Sequence, residues 1–157
     1  MLSTLRRAPG KITGVFPSTS AGVIVPIIQR LADVPHPARY SHAVVATGKL
    51  AFVAGQIALD AEGQLVGEGD LAMQATQALR NLETVLGELG ADWTDVAKLN
   101  WYLVDVTQIQ TIRDVLEEFL RPALGERSNP ASTLVQAAAL FRPEVLVEVD
   151  AVVALPQ

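Results

Sequence analysis

A chain of 157 residues is long enough for one domain with a real hydrophobic core. Half of its residues are hydrophobic, only 18% are charged against roughly 25% in an ordinary globular chain, and the formal charge is −5. The acidic balance argues against a nucleic-acid or anionic-membrane partner, and the absence of cysteine excludes disulfides, thiolate nucleophiles and zinc–sulfur sites.

Residues 1–36 differ from the rest, with Arg6, Arg7, Lys11 and Arg30 and no acid before Asp33. Such a start has the composition of an organellar transit peptide. Pro9, Gly10 and Lys11 interrupt the apolar run that a secretory signal needs, and Val23–Ile28 is too short to span a membrane. We read 1–36 as an N-terminal extension packed on the domain or on a neighbouring subunit, with a short strand near Gly22–Ile28. Pro35-His36-Pro37 marks the boundary, and the domain proper occupies 37–157.

Tyr40–Thr47 and Leu50–Leu59 are apolar runs joined at Gly48–Lys49 and closed by Asp60-Ala61-Glu62-Gly63, the pattern of a β-hairpin. Alternation puts Leu50, Phe52, Ala54 and Gln56 on one face of the second run and Ala51, Val53, Gly55 and Ile57 on the other. Both faces are largely apolar, which predicts burial on both sides. Within it, Gly55 marks a place where something approaches the backbone closely.

Gln64–Val66 reads as a short third strand and Asp70 as a helix N-cap. Leu71, Ala75, Ala78, Leu79, Leu82, Leu86 and Leu89 then form one apolar stripe that ends at Gly90. Val96–Asp105 reads as a strand, with Lys98, Asn100 and Tyr102 opposite Leu99, Trp101 and Leu103. Thr107 and Gln110 suggest a capping box for a second helix that turns Ile109, Ile112, Val115, Leu116 and Phe119 inward and stops before Pro122. Gly125–Pro130 is a loop, and Ser132–Leu140 and Val145–Leu155 are the last strands. The order β-β-(β)-α-β-α-β-β predicts an α+β fold, a mixed sheet with two helices packed on one face. So much apolar surface predicts an oligomer.

Gly67 to Ala72 matches the GxGxxA dinucleotide pattern, but Glu68 and Asp70 would face a pyrophosphate with two negative charges, so a strand-to-helix turn is the better account. Ser41 and His42 are neighbours on a strand and point apart, and His36 and His42 alone cannot build a three-histidine metal centre. No metal site is expected. On the last strand Val145, Val147, Val149, Ala151 and Val153 share one face, Leu146, Glu148, Asp150 and Val152 the other. The two carboxylates are either a partly desolvated functional pair or a solvated edge, and the residues alone leave both open.

Several motifs in order then decide the family that the chain resembles. Tyr40-Ser41-His42-Ala43-Val44 and Gly48-x-Leu50-x-Phe52-Val53-Ala54-Gly55-Gln56-Ile57 come first, followed by Gln74 with Asn81-Leu82 and by Tyr102-Leu103-x-Asp105. Pro130-Ala131-Ser132-Thr133 and Val147-Glu148-Val149-Asp150 complete the set. Together they are similar to the signature of the Rid (YjgF/UK114) family of reactive-intermediate deaminases, over residues 38–155. The resemblance implies a chorismate-mutase-like fold, a homotrimer with clefts between subunits, and hydrolysis of small imines or enamines without a cofactor; a cytoplasmic location is expected from the lack of cysteine. It implies that Tyr40 lines the cleft, that the Gly55 backbone contacts the ligand and that Glu148 positions the attacking water. Two positions depart from the family pattern. Ser132 stands where deaminases carry an arginine that clamps the substrate carboxylate, and Ala54 replaces a serine. A serine cannot replace a bidentate, permanently charged fork, so the usual 2-iminobutyrate deamination is not expected unless Arg113 or Arg127 supplies a cation. Two readings follow: a Rid-like hydrolase acting on a small-molecule intermediate, or a non-catalytic binding or regulatory trimer. The endoribonuclease activity sometimes attached to the family fits an acidic chain poorly.

Overall fold

The computed structural model describes the backbone of Val25–Ile28 and all of residues 40–156. The rest of the N-terminal extension, His36 and the 35–37 boundary lie outside the described residues. In chain order the strands and helices are β1 (Val25–Ile28), β2 (Tyr40–Ser41), β3 (Ala43–Val45), β4 (Leu50–Gln56), α1 (Leu71–Glu88), β5 (Val96–Leu103), α2 (Ile109–Leu124), β6 (Asn129–Gln136) and β7 (Val147–Ala154). Single 3-10 turns at Trp93–Asp95 and Val106–Gln108 precede β5 and α2. Five strands form one mixed sheet in the order β2-β6-β5-β7-β4, while β1 and β3 make a separate antiparallel pair. β2, β6 and β5 run parallel; β7 is antiparallel to both β5 and β4. This is the expected α+β architecture with two helices over one face.

The face under the helices is made by alternation. Leu99, Trp101 and Leu103 of β5 and Val147, Val149, Ala151 and Val153 of β7 are buried with the stripe of α1 and with Ile112, Val115 and Leu120 of α2. Asp70 caps α1, its carboxylate accepting from the Met73 N–H at 3.0 Å. Gly90, just past the helix, has φ +67°, a conformation that glycine adopts at little cost. Gly67, from the dinucleotide-like pattern, opens only a turn, and its carbonyl accepts from the Gln74 side chain at 3.1 Å.

The expected hairpin does not form. β4 pairs with β7 across nearly a hundred residues, β3 pairs with β1, and β2 lies parallel to β6. The Ser41 hydroxyl donates to the Asn129 carbonyl at 2.8 Å and fixes that last pairing. Nor is β4 buried on both sides in a single chain. It is an edge strand whose Phe52 side chain is 77% exposed, because no helix among the described residues covers the second face. Gln64–Val66 reduces to a single bridge between Leu59 and Leu65.

The start and end of α2 also differ from expectation. Asp105, not Thr107, makes the local cap: its carboxylate accepts from the Thr107 N–H and hydroxyl at 3.0 and 2.6 Å, and Gln108 stands at the N-cap of α2 without a side-chain cap bond. Those bonds, with one from Gln108, hold the Asp105 carboxyl below its usual range. The Gln110 amide turns instead to Asp114 at 2.7 Å. Pro122 sits inside the helix, which runs on to Leu124. A proline so near the end removes one helical bond on an exposed side, where the orphaned carbonyl can meet water. β6 begins earlier than expected, at Asn129, and stops at Gln136; β7 begins only at Val147.

Two amides of α1 tie the sheet to its loops. Gln74 is fully buried; its Nε2 donates to the carbonyls of Gly67 and Glu144 at 3.1 and 2.9 Å, and its Oε1 accepts from the Leu146 N–H at 2.8 Å. Asn81 donates to the Ile57 and Leu59 carbonyls, both at 2.9 Å. Replacing Gln74 by leucine takes this partner from the Leu146 N–H and the Glu144 carbonyl, while the Gly67 carbonyl keeps the Asp70 N–H, and is expected to cost about 2 kcal/mol. Thr84→Ala on the exposed side should stay within about 0.5 kcal/mol. Urea denaturation of both variants at one protein concentration checks the contrast.

Candidate functional site

A groove of about 720 Å³ lies between α2 and the β2–β6 end of the sheet. Leu99 and Trp101 of β5 and Leu134 of β6 contribute apolar lining, α2 contributes Arg113 and Glu117, and Tyr40 and Ser132 contribute hydroxyls. Ser132 pairs in register with Leu99 and so faces the helix side of the sheet. Tyr40 is stacked edge-on against His42, with ring centroids 5.8 Å apart. The Ser41 hydroxyl is spent on Asn129, as a structural role requires. Asn129 also binds the α2 side chains, donating to Glu117 at 2.8 Å and accepting from Arg121, whose own ion pair with Glu117 is 3.0 Å long.

Glu148 stands elsewhere, on the uncovered face, in register with Tyr102. Its carboxylate occupies the place where a side chain at Gly55 would be. A Cβ built on Gly55 would come within 1.8 Å of Glu148 Oε1. The glycine is therefore what admits the carboxylate, and the close approach expected at Gly55 is made by Glu148. A bulge helps: Val53 pairs with Ala151 and Gln56 with Val149, so Ala54 and Gly55 together oppose Asp150 alone. The bulge turns Gln56 off the face predicted by strict alternation.

The two carboxylates of β7 have different surroundings. Asp150 accepts from Asn100 Nδ2 at 2.7 Å and from the Tyr102 hydroxyl at 2.8 Å. β7 is an interior strand, so these groups are not a solvated sheet edge. Glu148 makes no hydrogen bond or ion pair with any described residue. Sequence reasoning placed Asn100 and Tyr102 on one face of β5 but missed their joint hold on Asp150. The signal was there in the polar alternation of both strands, but not the register that brings them together.

The expected site residues thus fall into two separate halves of the sheet. Tyr40, Ser132 and Arg113 share the groove; Ala54, Gly55 and Glu148 lie together toward the other edge of the sheet. From β2 to β4 is four strand spacings, roughly 19 Å, and Ser132 and Glu148 point to opposite faces. Arg127 belongs to neither half. It lines a separate cavity of about 30 Å³ with Ser41 and Trp93. Among the described residues no helix is long and apolar enough to cross a membrane.

Known proteins resemble this chain over most of its length. The family model described as Endoribonuclease L-PSP matches residues 32–155. A RutC family protein of Synechocystis is 37% identical over 131 residues, which span 82% of this chain and 96% of the relative. The 2-iminobutanoate/2-iminopropanoate deaminase of Homo sapiens is 34% identical over 115 residues, 72% of this chain and 77% of that one. The crystal structure of a Rid-family protein of unknown function from Yersinia pestis superposes with a TM-score of 0.70 at 31% identity, covering 87% of this chain and all of the other.

The Asp150 cluster makes a prediction of its own. The hydrogen bond to Asp150, aided by burial and by the charges of Asp150 and Glu148, holds the Tyr102 hydroxyl above the usual phenol range. A raised folded-state value means that the stabilisation is complete below the ordinary phenol pKa of about 10 and is lost as pH rises through the folded value. In an ultraviolet titration, Tyr102→Phe should remove the high-pH tyrosinate step. At neutral pH it should cost about 1 kcal/mol.

Proposed function

The chain belongs to the endoribonuclease L-PSP family, the Rid (YjgF) group, and on that premise we propose that it is a hydrolase of small imines or enamines. Its site is a cleft between subunits of a homotrimer, and Glu148 positions the attacking water without a cofactor. The observation that carries this reading is the seating of Glu148 on Gly55, with no partner of its own and at the far side of the sheet from the groove. A carboxylate held in place yet unengaged is suited to accept a proton from water. As the water oxygen bonds to the C=N carbon, the π electrons move to nitrogen and Glu148 takes the proton. Starting from the protonated imine this gives a neutral carbinolamine; Glu148 then returns its proton to the nitrogen, ammonia leaves as the C–N bond breaks, and the hydroxyl proton passes to the freed carboxylate as the oxygen forms the carbonyl.

Assembly supplies what one chain lacks. A head-to-tail ring would lay the Gly55–Glu148 edge of one copy against the groove of the next, and such contacts close at three if the rotation allows. The uncovered sheet face supports association, since Leu50, Phe52 and Val135 stand exposed on it. An acidic chain with Asp114 and Glu117 on its groove is poorly suited to bind RNA, whose phosphates call for a basic surface.

A second reading has its own support. Ser132 offers the groove a hydroxyl and no charge, and Ala54 offers none, which favours a trimer that binds a small molecule without turning it over. Ammonia release from 2-iminobutanoate, 2-iminopropanoate and 2-aminomuconate separates the two. Under the enzymatic reading Glu148→Ala should slow release by about 10²- to 10⁴-fold. Gly55→Ala should do likewise, while changing stability by no more than about 1 kcal/mol, because only the mobile end of Glu148 must move. Equal rates for wild type and Glu148→Ala would leave only the binding reading. A monomeric mass in solution would remove the shared cleft from both.

A further inference from the structure

Glu148 has neighbours on both flanking strands, and they differ in bulk. On the β4 side stands Gly55, with no side chain; on the β5 side stands Tyr102, its partner in register. Directly opposed residues on one sheet face bring their Cβ atoms within roughly 4.5–5.5 Å, so Tyr102 and Glu148 compete for the same space. The Tyr102 ring is tethered in that space. Its hydroxyl reaches along the sheet to Asp150 Oδ2 at 2.8 Å, and Asn100 Nδ2 holds Oδ1 of the same carboxylate at 2.7 Å. Glu148 leans the other way: a Cβ built on Gly55 would lie 2.9, 2.6 and 1.8 Å from its Cγ, Cδ and Oε1. Among the described residues no donor reaches its oxygens, so shape and charge decide where the carboxylate rests. The ring bars the β5 side, the like charge of Asp150 repels along the strand, and Gly55 leaves the β4 side open.

We propose that Tyr102 is a positioning residue for the hydrolysis: tethered to Asp150, its ring confines the Glu148 carboxylate to its seat over Gly55. The inference rests on the reading of Glu148 as the group that positions water, and it names what keeps that group in place. A phenylalanine at 102 would fill the same volume but lose the tether. Its ring could then swing away from Asp150 and let Glu148 relax toward β5. A proton acceptor displaced by about 1 Å can lose as much as 10²-fold in rate. Such a loss falls on an interaction made only in the transition state, so it lowers kcat and kcat/KM together and leaves KM alone. The tether persists through neutral pH, because the bond to Asp150, burial and the charges of Asp150 and Glu148 keep the phenol protonated there.

Steady-state ammonia release by the full chain, with the three substrates named above, tests it. Tyr102→Phe should lower kcat about tenfold and leave KM within about twofold of wild type. Asp150→Ala should do the same, while Asp150→Asn, which keeps an acceptor for the phenol, should lose less. Added to Glu148→Ala, Tyr102→Phe should change kcat no further, since it acts through the missing carboxylate. A merely structural loss would slow both backgrounds alike. Wild-type kcat in Tyr102→Phe, a raised KM with kcat intact, an equal fall in both backgrounds, or Asp150→Asn as slow as Asp150→Ala would each overturn the proposal. Absent turnover by wild type, or equal rates for wild type and Glu148→Ala, would remove the catalytic reading and this inference together. A slow Glu148→Ala beside a fully active Tyr102→Phe would remove this inference alone.

Discussion

The buried amide of Gln74 is the contact on which the arrangement of the sheet depends. It holds the backbone at Glu144 and Leu146, just before β7 brings Glu148 into place. One face further along the same helix, Asn81 holds Ile57 and Leu59, just after β4 has presented Gly55. The meeting of Gly55 and Glu148 is thus fixed from both sides by a single helix. Side-chain amides suit this work because one group can both donate and accept, so a loop with no ladder of its own still has its backbone groups satisfied.

A second consequence of this framework is that two acids on one strand have unlike fates. Asp150 is locked by Asn100 and Tyr102 in the middle of the sheet. Glu148, two residues earlier on the same face, is placed by the absence of a side chain opposite it. The first is held by donors and the second by a vacancy of shape. Rigidity around Asp150 lends Glu148 a stable base without consuming its oxygens.

Much of the architecture was legible because it is periodic. The stripe of α1, the alternation of β5 and the valine face of β7 each state their burial in local spacing, and all were found except at Leu89, which caps the end of α1 and stands exposed. What failed was pairing. Tyr40–Thr47 and Leu50–Leu59 look like a hairpin because the apolar runs and the Gly48–Lys49 turn are local signals, whereas the true partners of β2 and β4 are distant. The apolar character of both faces of β4 was real, but it does not say what covers them, and within one chain Phe52 is left uncovered. Gly55 was legible as a point of close approach; that the visitor is Glu148 depends on a bulge that no spacing reveals. Of the two arginines considered beside Ser132, the helical face of α2 sets Arg113 on the groove, while Arg127 turns to another cavity.

The position of β7 also governs when the molecule can become itself. It comes last in sequence among the described strands, yet it lies between β5 and β4. Until it arrives, β4 has no neighbour in the sheet, and β5 shows an open edge next to its pairing with β6. A nascent chain therefore carries two unsatisfied strand edges, the feature that invites wrong pairing with other chains. Closure joins segments about a hundred residues apart, the kind of long-range contact that slows folding. The same strand that delivers Glu148 pairs the open side of β5 and one side of β4, so the carboxylate arrives in the step that reduces this exposure.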